Sequence, residues 1–343
     1  MTGDAAALRV EAPPLFRVGR SFVNPVFDLL VIGSVASLLM TPFLLSYGGA
    51  NPLARRLDAA LPFLVLVCNT AHFAASTVRL YSKPRAFEEL PFLTMGFPLL
   101  TVLVLTVSIV FASQLGGGIQ TLYLTWSPFH YAAQAYGLTL IYAYRSGCTL
   151  DGLDKKLLRV ACLLPFLAAV VGGRTLLGLS FVAERMLFTK ALAVLTLALP
   201  IVVFARLAAR REATLPLMSL AVLASNGVWL ITLNEAGAFA WATIFHGLQY
   251  LAIVSIFHVK DQLARPGNAR GRVSHVGLFY LGCVTLGYLL FQVWPFAYVL
   301  LGFGVAESML MVAAVINLHH FIVDAFIWKL RQAPNLKIVT SAS

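Results

Sequence analysis

The sequence predicts an all-α protein, a polytopic membrane helix bundle of about ten transmembrane helices with N- and C-termini cytoplasmic. Three observations predict it. Only 11% of the residues are charged and 59% are hydrophobic, whereas a soluble domain has about 25% charged residues. Apolar stretches long enough to cross ~30 Å of hydrocarbon recur along the chain. Basic residues also concentrate in alternate connections, as they do when they orient helices in a bilayer.

The candidate spans are 26–47, 59–80, 91–113, 119–144, 157–178, 187–208, 214–234, 236–259, 274–296 and 303–330. Residues 1–20 are mixed and polar, without an apolar core or a small-residue cleavage site, so the first span is expected to serve as the insertion signal. The connections are short and no internal repeat is evident. The chain therefore reads as one transmembrane domain over residues 1–343, with short tails at 1–25 and 332–343.

The distribution of charge tests these assignments. With the N-terminus in the cytoplasm, the cytoplasmic segments hold 20 basic residues. They are Arg9, Arg17 and Arg20; Arg79, Lys83 and Arg85; Arg145, Lys155, Lys156 and Arg159; Arg206, Arg210 and Arg211; Lys260, Arg265, Arg270 and Arg272; and Lys329, Arg331 and Lys337. The other side holds five: Arg55, Arg56, Arg174, Arg185 and Lys190. A missed or false span would scramble this alternation. It also accounts for the net charge of +11 without a nucleic-acid partner. An integral protein of a bacterial inner (plasma) membrane is expected. The four scattered cysteines (Cys68, Cys148, Cys162 and Cys283) form no C-x-x-C pair and read as small core residues.

The ionisable residues inside the spans carry the functional signal. His258 and His275 fall at cytoplasmic span ends, where contact with headgroups or water suffices. His72, His130, His246, His319 and His320 lie within spans 2, 4, 8 and 10. Such groups are expensive in lipid and usually face the bundle interior. Helical spacing groups their companions. Asn69, His72, Ser76 and Arg79 share one stripe; Ser127, His130, Gln134 and Gly137 share another. His246 and Gln249 are three apart, flanked by Thr243 and Tyr250. In span 10, Asn317, His320 and Asp324 fall within about 60° of arc, which makes His320 and Asp324 the natural pair. His319 points some 100° away from His320.

Depth is a second test. His72, His130, His246 and His320 stand roughly 12 to 21 Å above the cytoplasmic boundary at 1.5 Å rise per residue, compatible with one layer near the midplane. Imidazoles converging with a carboxylate make a metal site, and such ligands suit iron, zinc, copper or manganese. The candidate ligands are His72, His130, His246, His319, His320 and Asp324. Asp324 is ligand or general base, and Gln134 and Gln249 are the amides that would orient ligands or bound water. The competing reading gives each histidine a carbonyl or hydroxyl on a neighbouring helix. Tyr123, Tyr131 and Tyr250 border the histidine faces and are candidates for lining a cavity.

Other polar residues read structurally. Asp28 suits a cap or ion pair near the cytoplasmic face, where Arg79 also ends its span. Arg79 suits either a lipid phosphate or an anchor at that face. Glu307 reads as an outer-face residue, and Trp328, Lys329 and Arg331 as a headgroup-level end. Glycines at 172–173 and 302–304 favour close packing or a bend, since no phosphate-binding fingerprint surrounds them.

The dispersal of His72, His130, His246 and His320 over four spans is similar to the layout of the Brp/Blh-type carotene dioxygenases, polytopic proteins whose scattered intramembrane histidines hold iron. The chain is less like the membrane alkane hydroxylases and desaturases, whose clustered H-x-x-x-H and H-x-x-H-H boxes are absent. The resemblance implies non-haem iron-dependent oxidation of a lipid-like or isoprenoid substrate. Asp324 and the H-x-x-x-Q pattern at 130–134 are additional to it. A zinc-dependent lipid hydrolase is a variant of the same reading. Two alternatives stay open: a b-type haem protein in electron transfer and a transporter with a His/Asp relay. The expected partners are the lipid bilayer, an apolar small-molecule substrate and a redox partner.

Overall fold

The computed structural model describes residues 17–45, 59–172, 184–209, 215–235, 237–328 and 339. Among them the regular structure is entirely helical. The elements are α1 (Pro25–Ile32) and α2 (Val35–Leu45), then α3 (Ala59–Tyr81) and the short α4 (Ala86–Glu89). They continue with α5 (Phe92–Val110), α6 (Ala112–Arg145), α7 (Gly152–Gly172) and α8 (Glu184–Ala209). The chain ends with α9 (Leu217–Ile231), α10 (Ala238–Leu263), α11 (Arg272–Leu300) and α12 (Val305–Ile327).

Each of the ten sequence-predicted spans contains helix among its described residues. Among the described residues, six segments are both long and apolar enough to cross a membrane: α3, α5, residues Lys190–Ala209 of α8, α10, α11 and α12. The pair α1 and α2 makes a seventh if its 43° bend lies within one span. The bend falls at Gly33 and Ser34, and Ser34 takes a left-handed φ of 58°. The other predicted spans are helical with a weaker apolar signal. Helix α6 carries the run Gly116–Gly118 and several glutamines, α7 opens on Asp154, Lys155, Lys156 and Arg159, and α9 has only 15 residues. Residues 46–47, 173–178, 214, 236 and 329–330 of the predicted spans lie outside the described residues, as do Arg9, Arg55, Arg56, Arg174, Arg210, Arg211, Arg331 and Lys337.

Helices α10 and α12 are the most enclosed of the six, and α8 and α11 the least. Helix α3 packs against α10, α11 and α12, while α6 packs against α7, α9 and α12. The four histidine-bearing helices thus form the inner part of the bundle. Leu99, Leu103, Leu197, Ile201 and Leu281 turn outward on α5, α8 and α11. Apolar faces of this kind need lipid or protein to cover them.

Two glycines set the closest helix approaches. Helix α3 widens into a π-helical turn over Val65–Thr70. A Cβ on Gly247 of α10 would sit 2.7 Å from the Cys68 carbonyl oxygen, and one on Gly287 of α11 would sit 2.7 Å from that of Thr70. Only glycine lets α10 and α11 press against that turn. A π-helical turn rotates the remainder of its helix out of register, and such turns recur at functional sites. His72 comes directly after this one.

Polar anchoring near the chain start departs from expectation. Asp28 is fully buried, and its carboxylate accepts from the Phe22 and Val23 amides at 2.6 and 3.1 Å and from the Tyr142 hydroxyl at 2.8 Å. It does not pair with Arg79, which meets Asp261 on α10 at 3.0 Å. Glu307 sits exposed in the first turn of α12, where a carboxylate favours the helix dipole. All four cysteines are buried thiols outside any disulfide, in line with their reading as small core residues.

Candidate metal centre

Four helices each deliver one imidazole to the same place. His72 from α3, His130 from α6, His246 from α10 and His320 from α12 are all buried. The ring centroids of His72 lie 4.4 Å from His320, 4.8 Å from His246 and 6.0 Å from His130. His130 is 5.1 Å from both His246 and His320. His72, His130 and His320 each offer a nitrogen within 4.8 Å of the others, and this buried group can hold a metal ion.

The distances bear on which chemistry the cluster performs. His130 Nε2 and His320 Nε2 are 3.4 Å apart, beyond the usual hydrogen-bond range of about 2.7–3.2 Å. Two nitrogens that each lie ~2.1 Å from one ion at a tetrahedral angle stand ~3.4 Å apart. His320 Nδ1 meets Ser76 Oγ at 2.9 Å. When Nδ1 carries the proton and donates it there, Nε2 faces the cluster with a free lone pair. Both nitrogens of His72 and both of His246 are buried without a hydrogen-bond partner. Each such atom costs about 1–3 kcal/mol, so four together approach the entire stability of an ordinary domain, about 5–15 kcal/mol. A metal ion taking one nitrogen from each ring would relieve half of that cost. Histidine nitrogens are suitable donors for a transition metal, so the residues fit the group.

The remaining sequence-predicted residues are placed differently. His319 turns away from the quartet, as the 100° offset requires. Its Nδ1 meets Thr101 Oγ1 at 2.7 Å and its ring stacks on Phe97 at 4.6 Å, so α5 claims it instead of the metal centre. Asp324 does not pair with His320, and it is not one of the grouped ligands. The Tyr250 hydroxyl from α10 donates to its carboxylate, and the Tyr250 ring stands edge-on to His320 at 5.6 Å. Trp328 Nε1 donates to the Tyr250 oxygen at 3.3 Å, which turns the indole inward against α10. Lys329 and Arg331 lie outside the described residues.

Gln134 and Gln249 bond each other and reach no histidine. Gln134 Nε2 donates to Gln249 Oε1 at 2.9 Å, and Gln249 Nε2 donates to the Ile32 carbonyl at 2.6 Å. That carbonyl lies at the break between α1 and α2, so the amide satisfies a backbone acceptor freed by the bend. Gln134 Oε1 is buried without a partner and faces a cavity wall.

A cavity of about 730 Å³ lies against His130, walled by α6, α10 and α12. His130, Gln134, Tyr136, Tyr250 and Asp324 belong to its polar lining, and Trp126 and Phe321 to its aromatic wall. Along α6 the lining runs from Trp126 to Ile141, a length of ~22 Å at helical rise. Its size and mostly apolar wall, with a few polar groups, are those of a small-molecule site. Gly137 faces it without a side chain, in line with the stripe expected on α6. Of Tyr123, Tyr131 and Tyr250, only Tyr250 lines it; Tyr131 packs against His246 at 4.2 Å.

Sequence reasoning misses the inward Trp328 and the partnership of Ser76 with His320. Ser76 is legible only as a companion of His72 on the α3 stripe. No protein family, curated protein or solved structure matches the chain, so the site is read from its own geometry.

Proposed function

We propose that the chain is an integral-membrane metalloenzyme that carries out iron-dependent oxidation of a lipid-like or isoprenoid substrate. In this reading the protein crosses the membrane ten times with both termini in the cytoplasm, as the charge alternation supports. The observation that carries the proposal is the quartet of converging imidazoles, four of whose buried nitrogens have no partner, beside an apolar cavity.

His72, His130 and His320 hold the ion, and His246 is the fourth candidate. An iron ion on histidines with open positions supplies dioxygen activation. The chain's own residues do the rest. The apolar wall binds an elongated substrate and keeps water out, and Trp126 and Phe321 flank it near His130. Tyr250 and Asp324 hold a proton between phenol and carboxylate at the cavity wall, where it can be given to substrate and recovered. Redox equivalents come from a partner protein or from the substrate itself. The crowding of four rings leaves little room for a porphyrin, which argues against the haem alternative.

Elemental analysis of the purified protein, with its optical spectrum, tests the reading. Stoichiometric iron without a Soret band is the expected result. Stoichiometric zinc would turn the proposal to hydrolysis by metal-activated water. Protein with no transition metal, able to bind none on titration, would overturn it.

A further inference from the structure

The ends of α3, α10 and α11 border a second, open pocket, of about 470 Å³, remote in character from the apolar cavity. Ser82, Lys83, His258, Arg265, Arg270 and His275 line it. Three of these are basic side chains and two are imidazoles. Among the described residues, no carboxylate pairs with Lys83, Arg265 or Arg270. Asp261, the nearest candidate on α10, is engaged by Arg79 at 3.0 Å, and Glu88 is engaged by Arg85 at 2.7 Å.

Structure holds these cations in place. The Arg265 guanidinium donates to the Ser82 carbonyl, which ties the α10–α11 loop to the end of α3. His275 Nε2 meets Asn268 Oδ1 at 2.9 Å, and the His258 ring stacks on Phe279 at 4.3 Å. Lys83 is half-buried, and burial followed by the nearby Arg79 charge holds its amine below the ordinary lysine range, with Asp261 and Glu89 offsetting part of this. Cations gathered this closely repel one another unless an anion sits among them.

The apolar side of the pocket narrows the choice of anion. Leu278 and Phe279 form part of its lining. Beyond them, Val273, Val276 and Leu281 are exposed along α11, where hydrocarbon tails can lie. Basic pockets between membrane helices characteristically take lipid head groups.

We propose that this pocket binds a phosphate group, carried either by the head group of an anionic phospholipid or by free phosphate, with Lys83, Arg265 and Arg270 as its cationic clamp. Calorimetric titration of the full-length protein in detergent distinguishes the sources. The probes are dihexanoyl-phosphatidylglycerol, dihexanoyl-phosphatidylcholine and inorganic phosphate. Saturable binding of phosphatidylglycerol, weaker binding of phosphatidylcholine and none of phosphate assigns a lipid; tight binding of phosphate alone assigns the free anion. The double variant Lys83→Gln/Arg270→Gln spares Arg265 and its bond to Ser82. It is expected to bind about 30-fold more weakly, the loss due to two cations near a charged head group, with its metal content unchanged. Absence of saturable binding for every probe, or equal affinity in the wild type and the folded double variant, would overturn the proposal.

Discussion

Seven histidines divide into two populations. His258, His275 and His319 each have a local explanation: a stacking partner in Phe279, a hydrogen bond with Asn268, and Thr101 together with Phe97. His72, His130, His246 and His320 come from four helices and crowd against each other. His72 and His246 have no hydrogen-bond partner at all. The same side chain thus meets other residue types in one region and chiefly other imidazoles in the other, where His72 and His246 stay unmet. Burial alone does not separate them: His275 and His258 are buried too. A polar group left unmet at the centre of a bundle points to something that the protein binds.

The comparison can be broken most severely at the quartet. His72→Ala, His130→Ala or His320→Ala is expected to abolish metal binding, with at least 100-fold weaker affinity in a competition titration against a chelator. Since His72 and His246 bear an uncompensated desolvation cost in the metal-free protein, these variants are also expected to lose metal-dependent thermal stabilisation. Next in size is Ser76→Ala, which removes the partner of His320 Nδ1. Loss of such an orienting group typically weakens metal affinity 10–100-fold, and the same titration reads it. Gly247→Ala acts through the backbone. Its methyl group would collide with the Cys68 carbonyl and push α10, with the adjacent His246, away from α3. A loss of about 1–3 kcal/mol in stability is expected, as for overpacking, measured by thermal unfolding in detergent. The smallest effect is expected at the other population. His319→Ala forfeits the bond to Thr101, about 0.5–1.5 kcal/mol, and leaves metal content as it was. Metal loss in His319→Ala equal to that in His320→Ala would erase the distinction between the two populations.

Much of this is legible in the sequence, for particular reasons. Apolar length and the alternation of basic loops locate the helices because lipid imposes both. The histidines of the quartet stand out because nothing cheap explains an imidazole in the middle of a span. Helical spacing also separates His319 from His320 correctly, although it does not by itself remove His319 from the candidate ligands. The failures share one cause: spacing shows what one helix carries but not what its neighbour offers. Asp324 lies one turn from His320, yet the Tyr250 hydroxyl arrives from α10 and takes it. Gln134 and Gln249 each lie near a histidine in sequence, yet they satisfy each other and the carbonyl freed at the α1–α2 break. Asp28 and Arg79 share an end of the bundle, yet Tyr142 and Asp261 are their partners. The π-helical turn before His72 and the glycines that accommodate it also leave no periodic signature, because they depend on how closely two backbones approach.

The most direct test of the central claim is elemental analysis of purified wild-type protein alongside His72→Ala and His319→Ala. The account predicts about one transition-metal ion per chain, iron by the proposed chemistry, in the wild type and in His319→Ala, and none in His72→Ala. Equal metal content in all three, or none in a wild-type protein that takes up none when supplied, would contradict it.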